Sequence, residues 1–236
     1  MDSTRKTARL AGLLYLVASI PGAFALLYVP GKLVVRGDAA ATAERLRSSP
    51  ALLRMGIGAE LLASVLFIFL VLLLYRLFRP VSEGPALAMM VLILLSMPIS
   101  MLLVVPEVAA LEFSGGASGR DYLAAFDVAQ RDALAYQCLH LHGQGLEVAQ
   151  IFWGLWLVPF GICVIRSRFI PRILGHLLIA AAFGYLASSI SNLVFPDSSA
   201  AVERVAKVLT VLELPIIFWL LIWGARPQNE RSAQPA

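Results

Sequence analysis

Charge is what this chain has least of. Only 14% of its 236 residues are Asp, Glu, Lys or Arg, against 59% hydrophobic, and the mean hydropathy is +0.81. A soluble domain carries about 25% charged residues, so a water-soluble fold of this size would lack the polar surface to cover itself. Cysteine is scarce too. Cys138 and Cys163 fall on one predicted helix, almost 40 Å apart at about 1.5 Å per residue, whereas a disulfide needs Cα atoms within about 7 Å. No CxxC pair or zinc-ligand spacing accompanies them. A Gly-rich phosphate loop, a nucleophile elbow and a dinucleotide fingerprint are also missing. No reaction type is therefore legible, and no cofactor is implied. The net charge of +4 and pI of about 9.3 do not point to nucleic acid, because Lys and Arg cluster at the ends of apolar runs, where they meet lipid headgroups.

What the chain has in quantity is long apolar runs. A helix needs about 20 apolar residues to cross a bilayer core about 30 Å thick. Six runs qualify: residues 10–30, 51–78, 84–113, 139–165, 173–195 and 205–224. The first follows Arg5, Lys6 and Arg9 and contains Ala23-Phe24-Ala25, which is signal-peptide grammar. It continues through Val29, long enough to span, and is expected to remain as the first helix. Pro21-Gly22 predicts a kink there, and Pro98 and Pro106 interrupt the third run. In the loop between the first two runs, Asp38 is placed to cap a short polar helix. From Asp121 an amphipathic surface helix is expected before the fourth run. The fold class is thus all-α: a polytopic membrane bundle of about six transmembrane helices, forming one integral domain over residues 1–236. Basic residues are densest in tight segments at Arg76, Arg79, Arg166, Arg168 and Arg172, which places both termini on the cytoplasmic side.

A charged side chain inside a span costs about 2.5–3.5 kcal/mol on insertion scales, so the few polar residues there are informative. Glu60, Glu107, His140, His142, Glu147, Gln150, Asn192 and Glu213 all fall toward one leaflet or mid-span, and only His176 falls toward the other. On the fourth helix His140, Gln144, Glu147 and Gln150 form one stripe, whereas His142 lies about 200° from His140, beside Trp153 and Trp156. The stripe is expected to face a shared interior cavity with Glu60 and Glu213, and His142 to point elsewhere. Candidate catalytic groups are Glu213, Glu147, His140 and His142. Candidate ligand-binding groups are Glu60, Gln144, Gln150 and Asn192. Glu107 and Asn192 also fit a plain headgroup-boundary role. A His-x-His pair splits its imidazoles, and the spacing of His140 and Glu147 is unspecific, so no metal site is assigned.

Several segments carry a resemblance. These are Ala11-Gly12-Leu13-Leu14-Tyr15-Leu16, Leu27-Tyr28-Val29-Pro30, Gly37-Asp38-Ala39-Ala40-Ala41-Thr42-Ala43, His142-Gly143-x-Gly145, Phe152-Trp153-Gly154-Leu155-Trp156-Leu157-x-Pro159-x-Gly161 and Ser167-x-x-x-Pro171-Arg172-x-Leu174-Gly175. In them the chain resembles, over nearly its whole length, an uncharacterised prokaryotic membrane family termed domain of unknown function 4386. The resemblance implies a prokaryotic inner-membrane location and supplies no chemistry. It moves weight from Glu147, where a hydrophobic residue is expected, to His142. The expected activity is binding or transforming a lipophilic small molecule in a polar-lined cavity, with membrane lipids as neighbours. A small transporter or permease component, and a non-enzymatic partner or sensor subunit, are the alternatives.

Overall fold

The computed structural model describes residues 3–115, 121–195 and 199–225. Among the described residues ten α-helices follow one another: α1 Ser3–Ala23, α2 Val29–Leu33, α3 Ala39–Ser48, α4 Pro50–Phe78, α5 Glu83–Leu102, α6 Val104–Phe113, α7 Val128–Ser167, α8 Arg172–Val194, α9 Ser199–Thr210 and α10 Leu214–Ile222. There is no strand among the described residues. Six stretches are long and apolar enough to cross a membrane: Ser3–Leu33, Pro50–Phe78, Glu83–Phe113, Val128–Ser167, Arg172–Val194 and Val202–Ile222. The chain is an all-α polytopic membrane protein.

Three of the spans are interrupted, each near a proline. The kink expected at Pro21 lies one turn later, as a π-helical turn over Phe24–Tyr28. The third span breaks at Leu103, between α5 and α6. Pro106 has no N–H to close a hydrogen bond onto the preceding turn. In the sixth span a 3₁₀ turn over Val211–Glu213 precedes Pro215. The polar helix of the first loop is α3, and Asp38 caps it as expected, accepting a hydrogen bond from the Ala41 N–H at 2.9 Å. The separate surface helix from Asp121 takes another form. Asp121–Ala125 is a 3₁₀ turn, and α7 then runs unbroken through 40 residues, joining the amphipathic segment to the fourth span. Polarity there marks where α7 leaves the hydrocarbon, not where a new helix begins.

The chain divides into two compact units: residues 1–17, 66–96 and 150–236 form one, and residues 18–65 and 97–149 form the other. In the first unit, helices approach closely at small residues. A Cβ at Gly12 would overlap the backbone and side chain of Leu220 and Leu221. Gly161 and Gly175 face each other so closely that a Cβ on either would sit 2.6 Å from the other's carbonyl oxygen. An aromatic column fills the space beside them: Trp156 stacks on Phe160 at 5.2 Å, and Phe78 meets Phe160 and Phe169 at 5.8 and 6.0 Å. Arg9 Nη2 donates to the Ile222 carbonyl at 2.7 Å, closing the end of α10.

The second unit has its own apolar core of Val29, Leu33, Leu46, Leu53, Ala110, Leu111 and Ala135. Its polar edge is fastened by Arg47, whose Nη1 donates to Asp132 Oδ1 at 2.6 Å, and by Tyr136, whose hydroxyl accepts from the Gly37 N–H at 2.9 Å.

Candidate functional site

In the second unit three helices bring one ionisable side chain each to the same place. α4 supplies Glu60, α6 supplies Glu107 and α7 supplies His142. The imidazole Nε2 lies 3.8 Å from Glu60 Oε2 and 3.9 Å from Glu107 Oε1. Its other nitrogen, Nδ1, is 3.0 Å from the Leu103 carbonyl oxygen. A carbonyl only accepts, so Nδ1 carries a proton and donates it. In the neutral ring Nε2 then presents its lone pair to the carboxyl groups. That acceptor lies at the break between α5 and α6. A Cβ at Gly145 would overlap the Leu103 side chain, and glycine on α7 thus lets Leu103 lie against the helix that carries His142.

Glu60 and Glu107 are each 6% exposed. Glu60 Oε1 and Glu107 Oε2 are buried and find no hydrogen-bond partner among the described residues. Buried carboxyl oxygens are ordinarily satisfied, so two bare ones in one cluster stand out.

The first unit holds a different constellation. Both oxygens of Glu213 accept hydroxyl hydrogens: Tyr15 donates to Oε1, and Tyr185 donates to Oε2 at 2.9 Å. Tyr15 is held in turn by an edge contact to Phe67 at 5.6 Å and a tilted contact to Trp156 at 6.2 Å. Glu213 ends the 3₁₀ turn before α10. Satisfied on both oxygens, it reads as a polar clasp among the first, fifth and sixth spans.

The structure redistributes the residues singled out from sequence. The expectation that His142 points away from Glu60 while His140 and Gln144 face inward is corrected. His140 and Gln144 are exposed on α7, and His142 is the residue that meets Glu60. Glu213 stands in one unit with its tyrosines, and Glu60 in the other with His142 and Glu107. Glu147, Gln150 and Asn192 are half-buried.

The physical reason lies in how α7 is turned. Its rotation is set by its apolar seam: Ala135, Ala149, Trp156 and Cys163 are buried, and His142 occupies the same seven-residue repeat. A seven-residue period keeps one face inward, and that repeat is the signal that could have singled out His142. Glu107 was treated as a boundary residue, although its place beside Pro106, at a helix break, is where backbone and side-chain polarity can be used together.

Comparison with known proteins bears on the family alone. The chain matches the family described as Domain of unknown function (DUF4386) over residues 10–224. No curated protein and no solved structure matches it. The match spans most of the chain, and the protein belongs to that family.

Proposed function

We propose that this member of the family binds a lipophilic molecule whose polar group is received by Glu60, Glu107 and His142. The observation that carries the reading is the pair of carboxyl groups, each more than nine-tenths buried and each with an unpartnered oxygen, facing one oriented imidazole. Such groups within spans are expensive to keep and serve ion, proton or substrate chemistry. A lipid-like molecule can seat its head there and leave its chain among apolar side chains. Imidazole and carboxyl groups are also acid–base catalysts by type, so proton transfer at the bound polar group is the chemistry this set supports.

The test is untargeted lipid analysis of organic extracts from protein purified in mild detergent. Wild-type protein should retain a lipophilic species that the Glu60→Gln/Glu107→Gln double variant loses, with both samples monodisperse. Identical extracts from two folded samples would remove the basis for the proposal.

The orientation that fits this reading has both termini cytoplasmic. Arg166, Arg168 and Arg172 support it. All three are exposed around the tight turn between α7 and α8, and Arg166 Nη1 donates to Ser82 Oγ, in the turn before α5, at 2.9 Å. Reporter fusions after Pro80 and after Ser167 should score as cytoplasmic. Periplasmic activity at both sites would reverse the assignment.

A further inference from the structure

We infer that Glu60, Glu107 and His142 hold a divalent metal ion of the zinc class. This deepens the proposal above and rests on its reading of the three residues as a binding site. One donor atom from each residue lies within 4.8 Å of the other two. The detailed distances favour an interposed ion over direct contact. An imidazolium bonded to a carboxylate closes to about 2.7–2.9 Å, yet Nε2 stands 3.8 and 3.9 Å from the two carboxyl groups. Two ligands on one tetrahedral zinc, each bonded at about 2.0–2.2 Å, stand about 3.4 Å apart. The two nitrogen-to-oxygen spacings are a few tenths of an ångström wider, and all three donors lie within 4.8 Å of one another, so side-chain movements of about an ångström close the shell.

Three further points agree. The Nδ1–H of His142 is tied to the Leu103 carbonyl, which is how metal-bound histidines are fixed in one tautomer with the free lone pair aimed at the ion. Charge balances as well: two carboxylates and a neutral imidazole around a divalent cation make a neutral centre. Neither Glu60 nor Glu107 has a Lys or Arg partner among the described residues, and a buried carboxylate without a countercharge is costly. Last, the donor set has one nitrogen, two carboxylate oxygens and no thiolate, which suits zinc or manganese more than copper(I) or an iron–sulfur cluster.

Three protein ligands leave a coordination position for water or for a ligand's polar group. That is the arrangement of metal sites that do chemistry, whereas structural ones are closed by four ligands. The ion would act on the bound group as a Lewis acid.

The experiment measures zinc and manganese by elemental mass spectrometry in detergent-purified full-length protein, expressed in zinc-supplemented medium and dialysed free of loose metal. Wild type and His140→Ala should carry about one zinc per chain. His142→Ala and the isosteric Glu107→Gln should carry at least about tenfold less. Added zinc should raise the melting temperature of metal-stripped wild type and leave Glu107→Gln unmoved. Equal zinc in wild type and Glu107→Gln, or none in folded wild type, overturns the inference. Lipid extracts from the same preparations separate it from the proposal above. Lipid retained without metal defeats only the metal site, metal retained without lipid defeats only the lipophilic ligand, and loss of both from folded wild type defeats both.

Discussion

Replacing Gly12 by alanine should lower the melting temperature of the detergent-solubilised protein, whereas Gly58→Ala should leave it unchanged or raise it. The two glycines sit in helices, and propensity alone favours alanine at both by about 1 kcal/mol. Space decides the difference. A Cβ at Gly12 would lie 2.6 Å from the Leu220 carbonyl carbon and 2.8 Å from its Cβ, and closer still to the Leu221 nitrogen, while a Cβ at Gly58 meets nothing within 4 Å. Backbone does not swing aside as a side-chain tip does, so α1 and α10 must separate. Overpacking of this kind costs about 1–3 kcal/mol. In a membrane no hydrophobic drive between helices offsets it, because close packing is itself a main source of association. Equal melting temperatures for Gly12→Ala and wild type would show that α1 and α10 are not held at this distance.

The second large effect concerns Glu213. A double-mutant cycle with Tyr15→Phe and Glu213→Gln should return a coupling energy of about 1–3 kcal/mol, the range for hydrogen bonds to a charged group and for residues in direct contact. Phenylalanine keeps the ring contacts to Phe67 and Trp156, so the hydroxyl alone is removed. The Tyr15→Phe/Tyr185→Phe double variant should be less stable than either single one, because each oxygen of Glu213 then loses its donor. Additive effects of Tyr15→Phe and Glu213→Gln in chemical or thermal unfolding would reduce the cluster to mere proximity.

These contacts show where sequence reasoning reaches and where it stops. Span number and helix-end chemistry are local properties, and both were legible. Six apolar runs became six spanning stretches, and Asp38 caps α3 because a carboxylate oxygen reaches an N–H three residues on. The rotation of a long helix is not local. His140 and His142 lie on opposite faces, but which face turns inward depends on the seam through Ala135, Ala149 and Trp156, not on where the polar residues fall. Pairing across the chain is less local still. Tyr15 and Glu213 are separated by 198 positions, and a tyrosine in a span raises no alarm, because its ring is at home there and its one polar atom is easily overlooked. Glu107 was misjudged for a related reason. Near the end of a span a carboxyl group can belong to the headgroups, and only the neighbouring helices reveal that this one is enclosed.

The length of α7 carries a consequence for the membrane itself. α7 runs through 40 residues, twice the about 20 that a helix needs to cross a bilayer core. Its first turns are held within the second unit, because Arg47 grips them at Asp132. His142 lies ten residues farther along, about 15 Å from that grip. A thin bilayer would bring the histidine nearer headgroups and water, and a thicker one nearer acyl chains. Mismatch costs fractions of a kcal/mol per ångström, enough to bias what reaches the histidine without unfolding anything. Acyl-chain length would then act on Glu60, Glu107 and His142 without an effector.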